Sequence, residues 1–208
     1  MKKTLTTVLA FVLVAAISVC GTLAILKQQT GPVTNTFSAA AGIVESMTLN
    51  ESLAEYNTNT CLYTLNSDEK VTSNTYNKVV PLTDIPKDPT FTIDIKDGAL
   101  VYVFIEVKSN LNDALTYSVD SSWTPLTGVT GPHSGTVYSY VSGPVQGTLD
   151  ENEFSHSILT DNKITAGDFD VTGDGDLGDI VFYGYVCQAQ GSASASAAWT
   201  AASFSAEP

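Results

Sequence analysis

The sequence predicts an all-β fold, a jelly-roll-like two-sheet sandwich with long loops, on three observations. Helical periodicity is scarce, short runs of alternating apolar and polar residues recur, and Gly, Pro, Asn, Asp and Ser bound those runs. Many short strands joined by polar turns suit a sandwich, a barrel or a jelly roll, and the two-sheet sandwich is the expectation here.

In chain order, Met1-Lys2-Lys3, a nearly unbroken apolar run from Thr4 to Cys20, and then Gly21-Thr22-Leu23-Ala24 make the three regions of a secretory signal. Residues 1–24 are expected to be removed by a signal peptidase after Ala24, with Thr22 and Ala24 as the small residues at the cleavage end. A single secreted domain over residues 25–208 remains. An apolar run of this length also suits a membrane anchor, but no Lys/Arg cluster follows as a stop. Bulky Val19 opposes a lipoprotein site at Cys20.

The mature N-terminus begins with a polar leader containing Gly31 and Pro32, a flexible composition. Residues 25–49 then form an expected N-terminal strand and donor segment. Phe37, Ile43, Val44, Met47 and Leu49 are too apolar to stay solvated, so they belong in the parent domain or in another copy. Residues 51–74, rich in Asn, Thr, Ser and Glu, read as a loop excursion or a short helix. Tyr76–Pro81 is a strand candidate.

Phe91–Lys96 alternates with period two, as a half-buried strand requires. After the turn signal Asp97-Gly98, Ala99–Lys108 carries Val101, Val103, Ile105 and Val107 on one face and Leu100, Tyr102 and Phe104 on the other. That strand is expected to be central and covered on both sides. Further candidates are Leu115–Val119, Val137–Val141, Phe154–Leu159 and Ile180–Ala189. Gly191–Ala202, mostly Ser and Ala around Trp199, suits a strand, a short helix or a surface tail.

Charge narrows the partners. The 208-residue chain carries 9 basic and 22 acidic side chains, a net charge of −13. Loss of Lys2 and Lys3 with the signal takes this to −15. Such a field repels phosphate backbones and anionic lipid head groups, so neither nucleic acid nor, after cleavage, a membrane is an expected partner. Cys61 and Cys187 survive cleavage, and a secreted domain permits but does not require a bridge between them.

The run Gly173-Asp174-Gly175-Asp176-Leu177-Gly178 matches the dinucleotide pattern of three spaced glycines. That fingerprint needs a helix after it to meet pyrophosphate. Here a β run follows, and two aspartates would repel the phosphates. The surrounding stretch, Asp168 to Asp179, holds five carboxylates interrupted by glycines, which suits a hard cation such as calcium. With Asp170 at loop position 1, Asp174, Gly175 and Asp176 fall at positions 5, 6 and 7, as in EF-hand loops. Position 12, however, is Val181 in place of a bidentate carboxylate. Asp170, Asp174, Asp176 and Asp179 are therefore a candidate calcium set, weighed against a solvated strand-entry loop. No other cofactor is expected.

Enzyme constellations are thin. His133, in a Gly-Pro-His-Ser-Gly turn, and His156, in a candidate strand, belong to no metalloprotease helix motif, and no G-x-S-x-G elbow occurs.

Several segments resemble one family in order along the chain. Cys20-Gly21-Thr22-Leu23-Ala24-Ile25-Leu26, Val33-Thr34-Asn35-Thr36-Phe37-Ser38 and Leu49-Asn50-Glu51 are similar to the SipW-dependent signal and mature N-terminus of the TasA/camelysin family. Pro89–Ile93 and Val101–Val107 are similar to its central strands, and Tyr183–Gly191 with Ala197-Ala198-Trp199 to its C-terminal segments. Ile25, Lys27 and Cys187 depart from its usual Tyr, Thr and Ala. The resemblance implies a jelly-roll subunit of an extracellular matrix or cell-surface filament, a biofilm matrix fibre, whose copies join by N-terminal donor-strand addition. Its partners would then be itself and, during export, a signal peptidase. Two alternatives stand beside this structural protein. One is a secreted surface-binding module with Trp123, Tyr138 and Tyr140 as binding aromatics. The other is a camelysin-like metallopeptidase, opposed by the missing zinc-ligand cluster.

Overall fold

The computed structural model describes residues 27–29, 42–129, 133, 135–150, 152–169 and 176–205. Thirteen strands are described: β1 (Lys27–Gln29), β2 (Val44–Asn57), β3 (Leu62–Val71), β4 (Asp84–Pro86), β5 (Thr90–Ile95), β6 (Leu100–Ser109), β7 (Leu115–Thr116), β8 (Trp123–Pro125), β9 (Thr136–Tyr140), β10 (Val145–Gln146), β11 (Glu153–Ser157), β12 (Lys163–Ala166) and β13 (Ile180–Gln188). One helix, α1 (Ala195–Ala202), follows them.

The fold is all-β, with every strand pairing antiparallel. The larger sheet runs β1-β13-β6-β9-β8, with β10 on β6, and the second runs β11-β5-β2-β3. A third, small sheet, β4-β12-β7, adds to the two-sheet expectation. One apolar core joins Met47, Leu49, Phe91 and Ile93 of the second sheet to Val101, Val103, Ile105 and Phe182 of the first. This is sandwich packing, with the alternating residues of both sheets interdigitated. Gly184 lets the sheets close, because a Cβ there would lie 2.4 Å from the Phe91 ring.

β6 is covered on both faces, as its sequence predicts. Its other face carries Tyr102 and Phe104 into a second cluster with Tyr185, Trp199 and Phe204. The cover is α1. Its alanines favour a helix, the Ser194 hydroxyl caps Ala197 N–H, and Ala198, Trp199 and Ala202 face inward. The Ser/Ala segment is thus a helix, one of the three readings left open.

Two expectations are corrected. Residues 51–74 are neither a loop excursion nor a helix: β2 and β3 form a hairpin pairing Glu51–Asn57 with Leu62–Val71. Most of its side chains are exposed or half-buried, so no apolar alternation marks it. Tyr76–Pro81 is not a strand. Tyr76 instead packs edge-on against Tyr63 with ring centroids 5.0 Å apart, and its hydroxyl donates to the Pro86 carbonyl.

Candidate functional site

β13 pairs with β6 along its whole length. On its other edge β1 lies antiparallel, with Lys27 opposite Cys187, Gln28 opposite Val186 and Gln29 opposite Tyr185. Further along that strand, Ile180–Phe182 line a groove of about 270 Å³. Its opposite wall is Leu49, Asn50 and Glu51 of β2, closed by Thr72–Asn74 and by Lys87 and Pro89. A wider cleft of about 660 Å³ continues from it, sharing Asn74, Lys87 and Ile180 and reaching Tyr76, Lys78, Asp176 and Asp179.

The groove mixes apolar walls with polar Asn50 and Thr72–Asn74, and it holds one ion pair. Glu51 extends the inward face of Met47 and Leu49, and its Oε2 lies 2.7 Å from Lys87 Nζ, with each side chain 8% exposed. Nζ also sits 5.5 Å from the Tyr76 ring centroid and 5.9 Å from that of Phe182. Among the described residues, Glu51 Oε1 has no hydrogen-bond partner and Nζ donates only to Glu51. A buried pair normally needs its remaining valences filled. The nearby Glu51 and Asp88 carboxylates add to burial in holding the Tyr76 hydroxyl well above the usual tyrosine range.

The facing edge of β2 is plugged. Ala54 N–H donates to Asn74 Oδ1 (2.7 Å), and Asn74 Nδ2 donates to the Ser52 carbonyl (2.8 Å). Ser52 N–H and its hydroxyl donate to Asp88. The Asn74 carboxamide occupies the donor and acceptor that a neighbouring strand would use.

A second buried carboxylate lies under α1. Glu106, fully buried in β6, has Oε1 accepting from Gly135 N–H (2.8 Å) and Oε2 accepting from the Tyr185 hydroxyl (2.9 Å). His133 Nδ1 lies 2.8 Å from that same oxygen. The His133 ring packs edge-on to Trp199, centroids 4.9 Å apart, and to Tyr185. Sequence reasoning passed over this cluster. The signal was Glu106 itself, an acid inside the apolar run Val101–Val107.

The predicted site residues separate. Ile43, Val44, Met47 and Leu49 are buried in this chain's own core, on or just before β2. Phe37, Asp170 and Asp174 lie outside the described residues. Asp176 Oδ1 accepts from Gly178 N–H, and Asp179 N–H donates to Asn110. Among the described residues no three acidic, His or Cys side chains gather as metal ligands. Cys61 is exposed at the β2–β3 turn and Cys187 is buried on β13. Both are free thiols, so the bridge weighed from sequence is not made. Burial pushes the Cys187 thiol up to about 12. Trp123 is core, donating its indole N–H to the Ser157 carbonyl, and Tyr138 and Tyr140 are half-buried against the same core.

Comparison with family models, curated proteins and solved structures finds no match for this chain.

Proposed function

We propose that this chain is the structural subunit of an extracellular matrix or cell-surface filament, in which the N-terminal segment of one copy adds as a strand to the β13 edge of the next. The observation that carries the reading is the antiparallel pairing of residues 27–29 on β13, next to the groove walled on one side by Ile180–Phe182. An edge strand beside a slot is a template for an incoming strand, with backbone hydrogen bonds supplying affinity and the slot supplying selectivity. A contact between an N-terminal segment and a distant edge is head-to-tail, so it propagates instead of closing. The donor stretch lies before Gly42, because Ile43 to Leu49 already fill the interior of their own subunit. An acidic surface and a secretory leader are in keeping with work outside the cell.

The test compares the secreted chain with a version lacking residues 25–38, by negative-stain microscopy and sedimentation at matched concentration. Filaments from the first and folded monomers from the second are expected. Equal polymerisation of both would sink strand addition. A full chain that stays monomeric would sink the filament itself.

A further inference from the structure

We infer that the groove holding the Glu51–Lys87 pair is a binding pocket for one ring of a neutral sugar, whose hydroxyls take up the hydrogen-bonding capacity that the pair leaves unused. The inference concerns the side chains of the groove and not the backbone edge of β13, so it stands or falls independently of assembly.

Three observations lead to it. The first is unspent capacity. Glu51 and Lys87 are each 8% exposed and are joined by one 2.7 Å bond. Among the described residues Glu51 Oε1 accepts no hydrogen bond, and Lys87 Nζ donates none beyond that one. A buried pair with valences to fill calls for a group that both donates and accepts, as a hydroxyl does. The second is charge. The pair is balanced within itself, so a charged guest would leave an excess in a buried place, and the chain's net charge of −13 repels anions in addition. A neutral guest remains, either a hydroxylated ring or a carboxamide. The third observation, the composition of the lining, chooses between them. Leu49, Pro89 and Phe182 give apolar surface, while Asn50, Thr72 and Ser73 bring polar side chains with no hydrogen-bond partner among the described residues. A carboxamide carries its polar atoms at one end and meets either the ion pair or the polar lining. A sugar ring carries hydroxyls around its rim and C–H groups on its faces, so it meets both and packs on the apolar surface as well. The volume of about 270 Å³ falls just below the usual range of ligand pockets, roughly 300–1,000 Å³, which suits a single ring.

The test is saturation-transfer difference NMR on the secreted chain, which reads ligand protons whether the protein is free or assembled. The probes are the methyl glycosides of glucose, galactose, mannose and N-acetylglucosamine, with glucuronate as the anionic control and acetylglutamine amide as the carboxamide control. At least one neutral glycoside is expected to receive saturation, with glucuronate bound roughly tenfold more weakly. The double replacement Glu51→Met with Lys87→Met substitutes apolar volume for the pair, and should weaken that glycoside roughly tenfold or more without moving the melting temperature. Saturation of acetylglutamine amide in preference to every glycoside would assign the pocket to a peptide side chain and overturn the inference. Silence from all the glycosides, equal binding of glucuronate, or an affinity unchanged in the folded double variant would overturn it too. Should the double variant fail to fold, the comparison of glycosides, glucuronate and carboxamide on the wild type decides alone.

Discussion

Glu106 and Glu51 both point from a strand into packed surroundings, and they are satisfied in different ways. Glu106 sits beneath α1 with a backbone amide, a tyrosine hydroxyl and an imidazole aimed at its two oxygens. Glu51 has a single lysine, and the two together line a groove. The closed site spends its whole hydrogen-bonding capacity on its own chain, tying β6, β13 and the segment around His133 into one arrangement. The open site keeps capacity in reserve. Burial alone therefore does not separate a fully partnered carboxylate from a partly partnered one. The partner inventory does.

The largest expected effect comes from breaking the closed site. Glu106→Ala strands three polar partners in an apolar cluster and should destabilise the domain by about 3–5 kcal/mol, read from the shift of the urea midpoint. A loss under about 1 kcal/mol would erase the distinction. Lys87→Met leaves Glu51, a buried carboxylate held by this one bond, without its cation, and a loss of roughly 1–3 kcal/mol is expected. Replacing both members with Met should fall within about 1 kcal/mol of wild type.

The thiols sharpen the comparison at lower cost. Cys187 lies on the closed side, in the same cluster as Tyr185 and Trp199, with its thiol pushed up to about 12 by burial. Maleimide should label Cys61 in the native domain and reach Cys187 only on unfolding. Equal labelling would mean that the cover of α1 opens readily.

The smallest effect is electrostatic. Burial lowers the His156 pKa below its ordinary value of 6.5, against the opposing pull of Asp120. The folded state therefore favours the neutral ring, while the unfolded chain takes up a proton near pH 6.5. Between the folded pKa and 6.5 the unfolded state binds more protons, so this contribution is full above pH 6.5 and is lost as pH falls. Melting temperatures from pH 7.5 down to 5 should decline less steeply in His156→Asn than in wild type. Matching slopes would remove His156 from the balance.

How legible each part was depended on which faces were buried. β5 and β6 were plain because inward residues alternate cleanly in one, and both faces are apolar in the other. The β2–β3 hairpin was opaque because it leans out from the sandwich, and its Tyr56, Tyr63 and Tyr76 pack among polar neighbours. The apolar residues Ile43 to Leu49 were recognised as needing burial, but sequence could not say in whose interior. The groove was not legible at all. It is made by residues from several separate stretches of chain, and the bond between Lys87 and Glu51, 36 positions apart, has no local signature.

The Asn74 plug on β2 has a consequence best put in the language of polymer chemistry. If each subunit offers one donor tail and one acceptor edge, its functionality is two, and such monomers grow linear chains. A second bare edge would raise the functionality to three, the threshold at which chains branch and a solution sets into a gel. The Asn74 carboxamide, through hydrogen bonds to Ser52 and Ala54, takes this stretch of β2 out of that count. Asn74→Ala should then turn a viscous suspension of threads into a cross-linked network, visible as a plateau storage modulus in oscillatory rheology. An unchanged, liquid-like response would mean that Asp88, bonded to the neighbouring Ser52 amide, blocks that edge by itself.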